Sequence, residues 1–161
     1  MKFLAALAFV VLLPVASLAA EKPDDAKLTD AKLTVEQVLQ INAGLSQLNC
    51  GNKIIKDGAK ETLVCEPYKW SAGVNWLIAT NQRKTTEIAA QYGKVRNQAI
   101  ANLPHKPDGS LTDEAAVKFT VQDREQLDVK TEISLDHFKR ADLEPMNLPP
   151  SVIAALLPII D

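Results

Sequence analysis

Residues 71–104 read SAGVNWLIATNQRKTTEIAAQYGKVRNQAIANLP, and this stretch decides the fold. Val74, Leu77, Ile78, Asn81, Thr85, Ile88, Tyr92, Val95, Ala99 and Leu103 recur at spacings of three and four, which places them on one face of a single long helix. Ser71 can accept a hydrogen bond from the free backbone donors at the helix start. Pro104 has no N–H to continue the ladder and marks the end. Gly93 is the interior position where the helix is weakest. The outward segment NQRKTTE, with Arg83, Lys84 and Glu87, reads as a solvated face.

Downstream, PHKPDGS (104–110) is a turn-rich loop. A third helix is expected from Thr112 to about Leu127, with Asp113 and Glu114 at its positive end. Two long helices joined by a short loop imply an antiparallel helix hairpin. In LDVKTEISL (127–135), Val129, Thr131, Ile133 and Leu135 alternate with Lys130, Glu132 and Ser134, which is strand periodicity. The tail NLPPSVIAALLPIID (147–161) reads as a short apolar helix opened by Pro150 and limited by Pro158. It should dock on the body, because exposing Val152, Ile153, Leu156 and Leu157 would leave an apolar patch.

Upstream, Thr34 and Gln37 form a capping-box pattern ahead of Val35, Val38, Leu39, Asn42, Leu45 and Leu48 at helical spacing. That helix is expected to stop near Gly51, a residue suited to a left-handed C-terminal position. The chain's only two cysteines bound the segment CGNKIIKDGAKETLVC (50–65). Asp57-Gly58 is a two-residue hairpin signal. It would set Lys56 opposite Ala59 and Cys50 opposite Cys65, with Ile54 and Leu63 on the same face. Opposed strand residues lie about 4.5–5.5 Å apart at Cα, within a disulfide's reach. An isolated hairpin is only marginally stable, so the strand at 129–135 is a candidate third strand. The expected fold is α+β and mostly helical. It comprises the long antiparallel helix hairpin, an N-terminal helix, and a small antiparallel β-sheet that includes the disulfide-stapled hairpin.

The chain opens MKFLAALAFVVLLPVASLAAEKPDD. Lys2, an apolar run from Phe3 to Ala16 and small residues before Glu21 form the layout of a secretory signal. Cleavage after Ala19 puts Ser17 and Ala19 at the two small-residue positions. A bilayer span needs about 20 apolar residues, and this run reaches that length only by including Pro14 and Ser17, so a cleaved signal is favoured over a retained anchor. No cysteine stands at the cleavage site for lipid attachment, and no N-x-[ST] sequon occurs, which favours a bacterial envelope over eukaryotic secretion. Residues 1–19 are thus read as a cleaved signal, 20–33 as a flexible linker, and 34–161 as one globular domain. The sequence DAKLT occurs twice, at 25–29 and 30–34, too short a unit for a solenoid.

The net charge is −2 for the whole chain and about −3 once Lys2 is removed, with 17 basic against 20 acidic residues. A mildly acidic surface of mixed signs opposes nucleic-acid and anionic-membrane binding. A cysteine pair in an exported chain is expected to be bonded. Zinc would need about four close ligands, whereas the two histidines, His105 and His137, are distant in sequence. A redox centre would favour C-x-x-C. His137 follows Asp136, with Asp142 and Glu144 nearby, so acid–base work is conceivable for it. No partnered nucleophile of a known arrangement accompanies it. Trp70 and Trp76, at the entrance of the long helix, would serve as core anchors or as stacking contacts. No nucleotide-binding glycine pattern is present, and neither metal nor cofactor is expected. Trp70, Trp76 and His137 are the candidate ligand or partner contacts.

The run YKWSAGVNWLIATNQRK (68–84), the alternating strand, and LPPSVIAALLPIID (148–161) resemble, in that order, small phage- or prophage-encoded proteins of unknown function. The resemblance spans about two thirds of the mature chain and carries over no catalytic residue. The export signal and the cysteine pair depart from it. The functional expectation is a small periplasmic, non-enzymatic protein that binds an envelope protein or a ligand. The alternatives are a hydrolase using His137 with neighbouring carboxylates, and a membrane-tethered structural protein of the envelope.

Overall fold

The computed structural model describes residues 28–57 and 60–161. The expected signal and cleavage site and the first copy of DAKLT up to Lys27 lie outside these residues, as does Gly58 of the expected turn. In chain order the elements are β1 (Leu28–Thr34), α1 (Val35–Leu48), β2 (Gly51–Asp57), β3 (Lys60–Glu66), α2 (Ala72–Ala101), α3 (Asp113–Leu127), β4 (Lys130–Asp136), α4 (Arg140–Leu143) and α5 (Pro150–Leu156). Single 3-10 turns at Glu144–Met146 and Leu157–Ile159 follow the last two helices. The fold is α+β and mostly helical.

The helix starts obey their capping chemistry. Thr34 and Gln37 form the reciprocal capping box of α1, Ser71 accepts from the Val74 N–H of α2, and Thr112 accepts from the Ala115 N–H of α3. Helix α2 runs unbroken through Gly93. Its apolar stripe is buried only in its first half, where Val74, Leu77 and Ile78 meet Val38, Ile41, Leu45 and Leu48 of α1. Leu135, Phe138, Val152, Leu156 and Ile159 close the same core, so the C-terminal tail docks as its composition requires.

Helix α1 ends at Leu48 rather than by a left-handed glycine. Asn49 caps it in the right-handed region, and the indole N–H of Trp70 donates to the Leu48 carbonyl at 2.8 Å, satisfying one acceptor that every helix end leaves open. Gly51 instead opens β2 beneath the ring of Tyr68. A Cβ there would lie 3.0 Å from Tyr68 Cζ, so the glycine serves close approach.

The strands differ from expectation in three respects. β4 does not join the cysteine hairpin; two separate two-stranded antiparallel sheets form, β1 with β4 and β2 with β3. Residues 28–33, read as linker, are strand β1, with Leu33 opposite Thr131 and Lys32 opposite Glu132. The second DAKLT copy supplies buried Leu33 and the cap Thr34. Its alternation is weak in sequence because β4 supplies the pairing. In the hairpin, Asp57 pairs with Lys60 and Cys65 opposes Asn52, so the register slides by two relative to an Asp57-Gly58 turn. A slip of two preserves the face, unlike a slip of one. The Cys50–Cys65 disulfide therefore still closes, at a Cα separation of 5.1 Å. On the chain-entropy account a bridge over a loop of this length contributes about 3 kcal/mol.

Candidate functional site

The one concentrated polar cluster in the described core sits where α2 crosses the end of β4. Asn81, fully buried, spans the backbone of Asp136: its Nδ2 donates to the Asp136 carbonyl at 2.7 Å and its Oδ1 accepts from the Asp136 N–H at 2.9 Å. One turn on, Lys84 Nζ donates to the Ser134 carbonyl at 2.7 Å and lies 3.5 Å from Asp136 Oδ2. Lys84 thus departs from the solvated face assigned to it, its side chain being 28% exposed. Thr85 Oγ1 is 2.9 Å from Asn42 Oδ1, tying α1 into the cluster. Three amide and hydroxyl positions on the apolar stripe, Asn42, Asn81 and Thr85, were the sequence signal for this network. Asp136 itself is 1% exposed, and its Oδ1 has no hydrogen-bond partner. A buried carboxylate with one counter-charge is costly to place, and here it locks β4 to α2.

His137, the next residue, points elsewhere. Its Nδ1 lies 2.6 Å from Asp161 Oδ1, while Asp142 and Glu144 are exposed and make no side-chain bond to it. The other ring nitrogen, Nε2, is buried and has no hydrogen-bond partner. A general base must reach the proton it takes, and this nitrogen faces protein. The neighbouring backbone makes a clasp: Phe138 N–H donates to Ile159 O at 2.8 Å and Asp161 N–H to Phe138 O at 2.9 Å. His137 and Asp161 thus fasten the tail to the exit of β4.

The tryptophans are half-buried against the core. Trp70 spends its indole N–H on Leu48 and stands 5.5 Å from the Tyr68 ring, centroid to centroid. His105 is exposed in the loop between α2 and α3, where it bridges Leu111.

The second half of α2 and all of α3 form an arm. Among residues 89–127 only Leu103 and Ala115 are buried. Polar contacts hold its two helices together: Tyr92 donates to Asp123 Oδ1 at 2.7 Å, Arg96 Nε lies 3.6 Å from the same oxygen, and the Arg96 guanidinium stacks 5.1 Å above the Phe119 ring. Burial, with Asp123 accepting its hydroxyl, pushes the Tyr92 pKa above the ordinary 10.0, and Arg96 opposes this in part. At the arm's base, Val35, Ile88, Tyr92, Val95 and Val129 line a groove of about 230 Å³. Val117 and Val121, one turn apart on α3, are 67% and 54% exposed. Sequence reading placed α3 but not this outward pair, because a valine at i and i+4 reads equally as a core position.

Among the described residues no group of three or more histidine, cysteine or acidic side chains could hold a metal ion, and no helix is long and apolar enough to cross a membrane. No family model, curated protein or solved structure matches this chain.

Proposed function

We propose that this is a small exported protein, periplasmic after loss of residues 1–19, which acts without catalysis by binding a protein of the cell envelope through its helical arm. The observation that carries the reading is the outward valine pair on α3, Val117 and Val121. Neither side chain supports the core, and apolar side chains standing together in water favour a partner. The disulfide fits an oxidising compartment. The clasped His137, with Nε2 turned inward, weakens the hydrolase alternative.

A photo-crosslinking residue at position 117 in the natively expressed protein tests this. One dominant adduct is expected, and Val121→Asp should abolish it while leaving the unfolding free energy within about 0.5 kcal/mol of wild type, as for other surface changes. No adduct at native expression would overturn the binding reading. Intact mass of the exported protein should correspond to a chain beginning at Ala20, and retention of Met1 would contradict cleavage.

A further inference from the structure

A second feature lies at the C-terminal end, away from the arm's valines. Arg140, Leu143, Glu144, Ile153, Leu157 and Ile160 enclose a recess of about 260 Å³. Its walls are aliphatic: Leu143 is buried, Ile153 and Ile160 are half-buried, and Leu157 is 55% exposed although the surrounding helix is docked on the core. Its two charged members, Arg140 and Glu144, stand four residues apart, close enough for their side chains to be neighbours. Yet no ion pair or side-chain hydrogen bond engages either one among the described residues. The Glu144 N–H donates to the Arg140 carbonyl, so the two residues stand one helical turn apart, with their side chains open to the recess rather than joined to each other.

We infer that this recess binds a free aliphatic α-amino acid, with the branched side chain against Leu143, Ile153, Leu157 and Ile160, the carboxylate on Arg140 and the ammonium on Glu144. Size and charge together select this class. The volume falls below the roughly 300–1,000 Å³ of pockets for drug-sized ligands, so the occupant is small. A purely apolar occupant would cover two unpaired charges and leave them unmatched, which is costly. A simple carboxylate would meet Glu144, and a simple amine would meet Arg140, each as a like charge. Only a group carrying both signs next to an aliphatic chain satisfies the whole lining, and charge-assisted hydrogen bonds to carboxylate favour arginine geometrically. The site is independent of the arm reading, since neither Val117 nor Val121 lines it.

The test is methyl-resolved NMR of the exported protein during titration with L-leucine at millimolar concentrations. The methyl resonances of Ile153, Leu157 and Ile160 should shift and saturate, with those of Val117 and Val121 unmoved. N-acetyl-leucine amide, 4-methylpentanoate and 3-methylbutylamine should each bind about tenfold more weakly or worse, since each removes a charge that the lining matches. Arg140→Gln and Glu144→Gln, both exposed positions, should weaken leucine binding by a similar factor without changing the fold. Absence of leucine-dependent shifts at these methyls overturns the assignment. So does binding of the amide, the acid or the amine as tight as that of leucine, which would mark the recess as a nonspecific apolar seat or as a socket for a partner's side chain. The Val121→Asp protein should bind leucine normally, so failure of the arm reading and failure of this one are separable.

Discussion

Asn81 shows how one side chain can hold a strand in place. Its amide pairs with both backbone groups of Asp136 inside a core that offers them no water. Asn81→Ala would strand a buried carbonyl and a buried N–H, each costing about 1–3 kcal/mol. We expect a loss of roughly 2–4 kcal/mol in urea unfolding with unchanged slope, and a loss below about 1 kcal/mol would show that water reaches the site. The helical stripe revealed in advance that Asn42, Asn81 and Thr85 would face inward. It did not reveal their partners: Asn81 bonds main-chain atoms of β4 at a separation of 55 residues, and Thr85 donates to Asn42 on the neighbouring helix at a separation of 43. Trp70 is similar: its aromatic bulk suggested an anchor, but its donation to Leu48 O depends on where α1 ends.

Among the elements, those with their own caps and periodicity were legible: α1, α2, α3, β4 and α5 all begin and end within a few residues of their sequence signals. What was not legible was pairing between elements. β1 has few strand-forming residues and exists because β4 lies beside it, and the hairpin register depends on a turn that more than one two-residue step could satisfy. Helix crossings follow the same logic. Gly44 of α1 sits where α5 crosses, and a Cβ there would meet Ala155 Cβ and Leu156 Cδ2 at 3.1 Å. Gly44→Val should force the two helices apart and cost about 1–3 kcal/mol despite valine's better helix propensity. A neutral or stabilised variant would mean that Leu156 turns aside freely. In the arm, the raised Tyr92 pKa makes a pH-dependent prediction. A group whose folded pKa lies above its unfolded value contributes stability below the unfolded pKa and loses it as pH rises through the folded one. Tyr92→Phe should therefore cost roughly 1 kcal/mol near neutral pH. The gap to wild type should close above about pH 10. Urea midpoints that differ equally at both pH values would remove the hydroxyl–Asp123 bond from the account.

For the molecule as a whole, the buried residues divide the chain into two stability classes. Those in the hydrophobic core fall within residues 33–78 and 135–159, whereas the arm from 89 to 127 contributes only Leu103 and Ala115 to the buried set. The arm's helices are joined by surface polar contacts, Tyr92 and Arg96 to Asp123, which are individually weak in water. Arg124 reaches Glu36 at 3.5 Å, and Val35 N–H donates to Val129 O at 2.9 Å, so the arm is fastened at its base and little elsewhere. Segments with few buried contacts open at lower free energy than the core. Native-state hydrogen exchange should accordingly find the amides of α3 and of α2 beyond Ile88 opening in a subglobal step, well below the free energy of α1, α5 and the first half of α2. A protein partner on Val117 and Val121 should raise protection in the arm alone, because only the arm carries that surface. Uniform protection across both halves of α2 would show the arm to be part of one cooperative unit, and the docking surface would then be as rigid as the core that supports it.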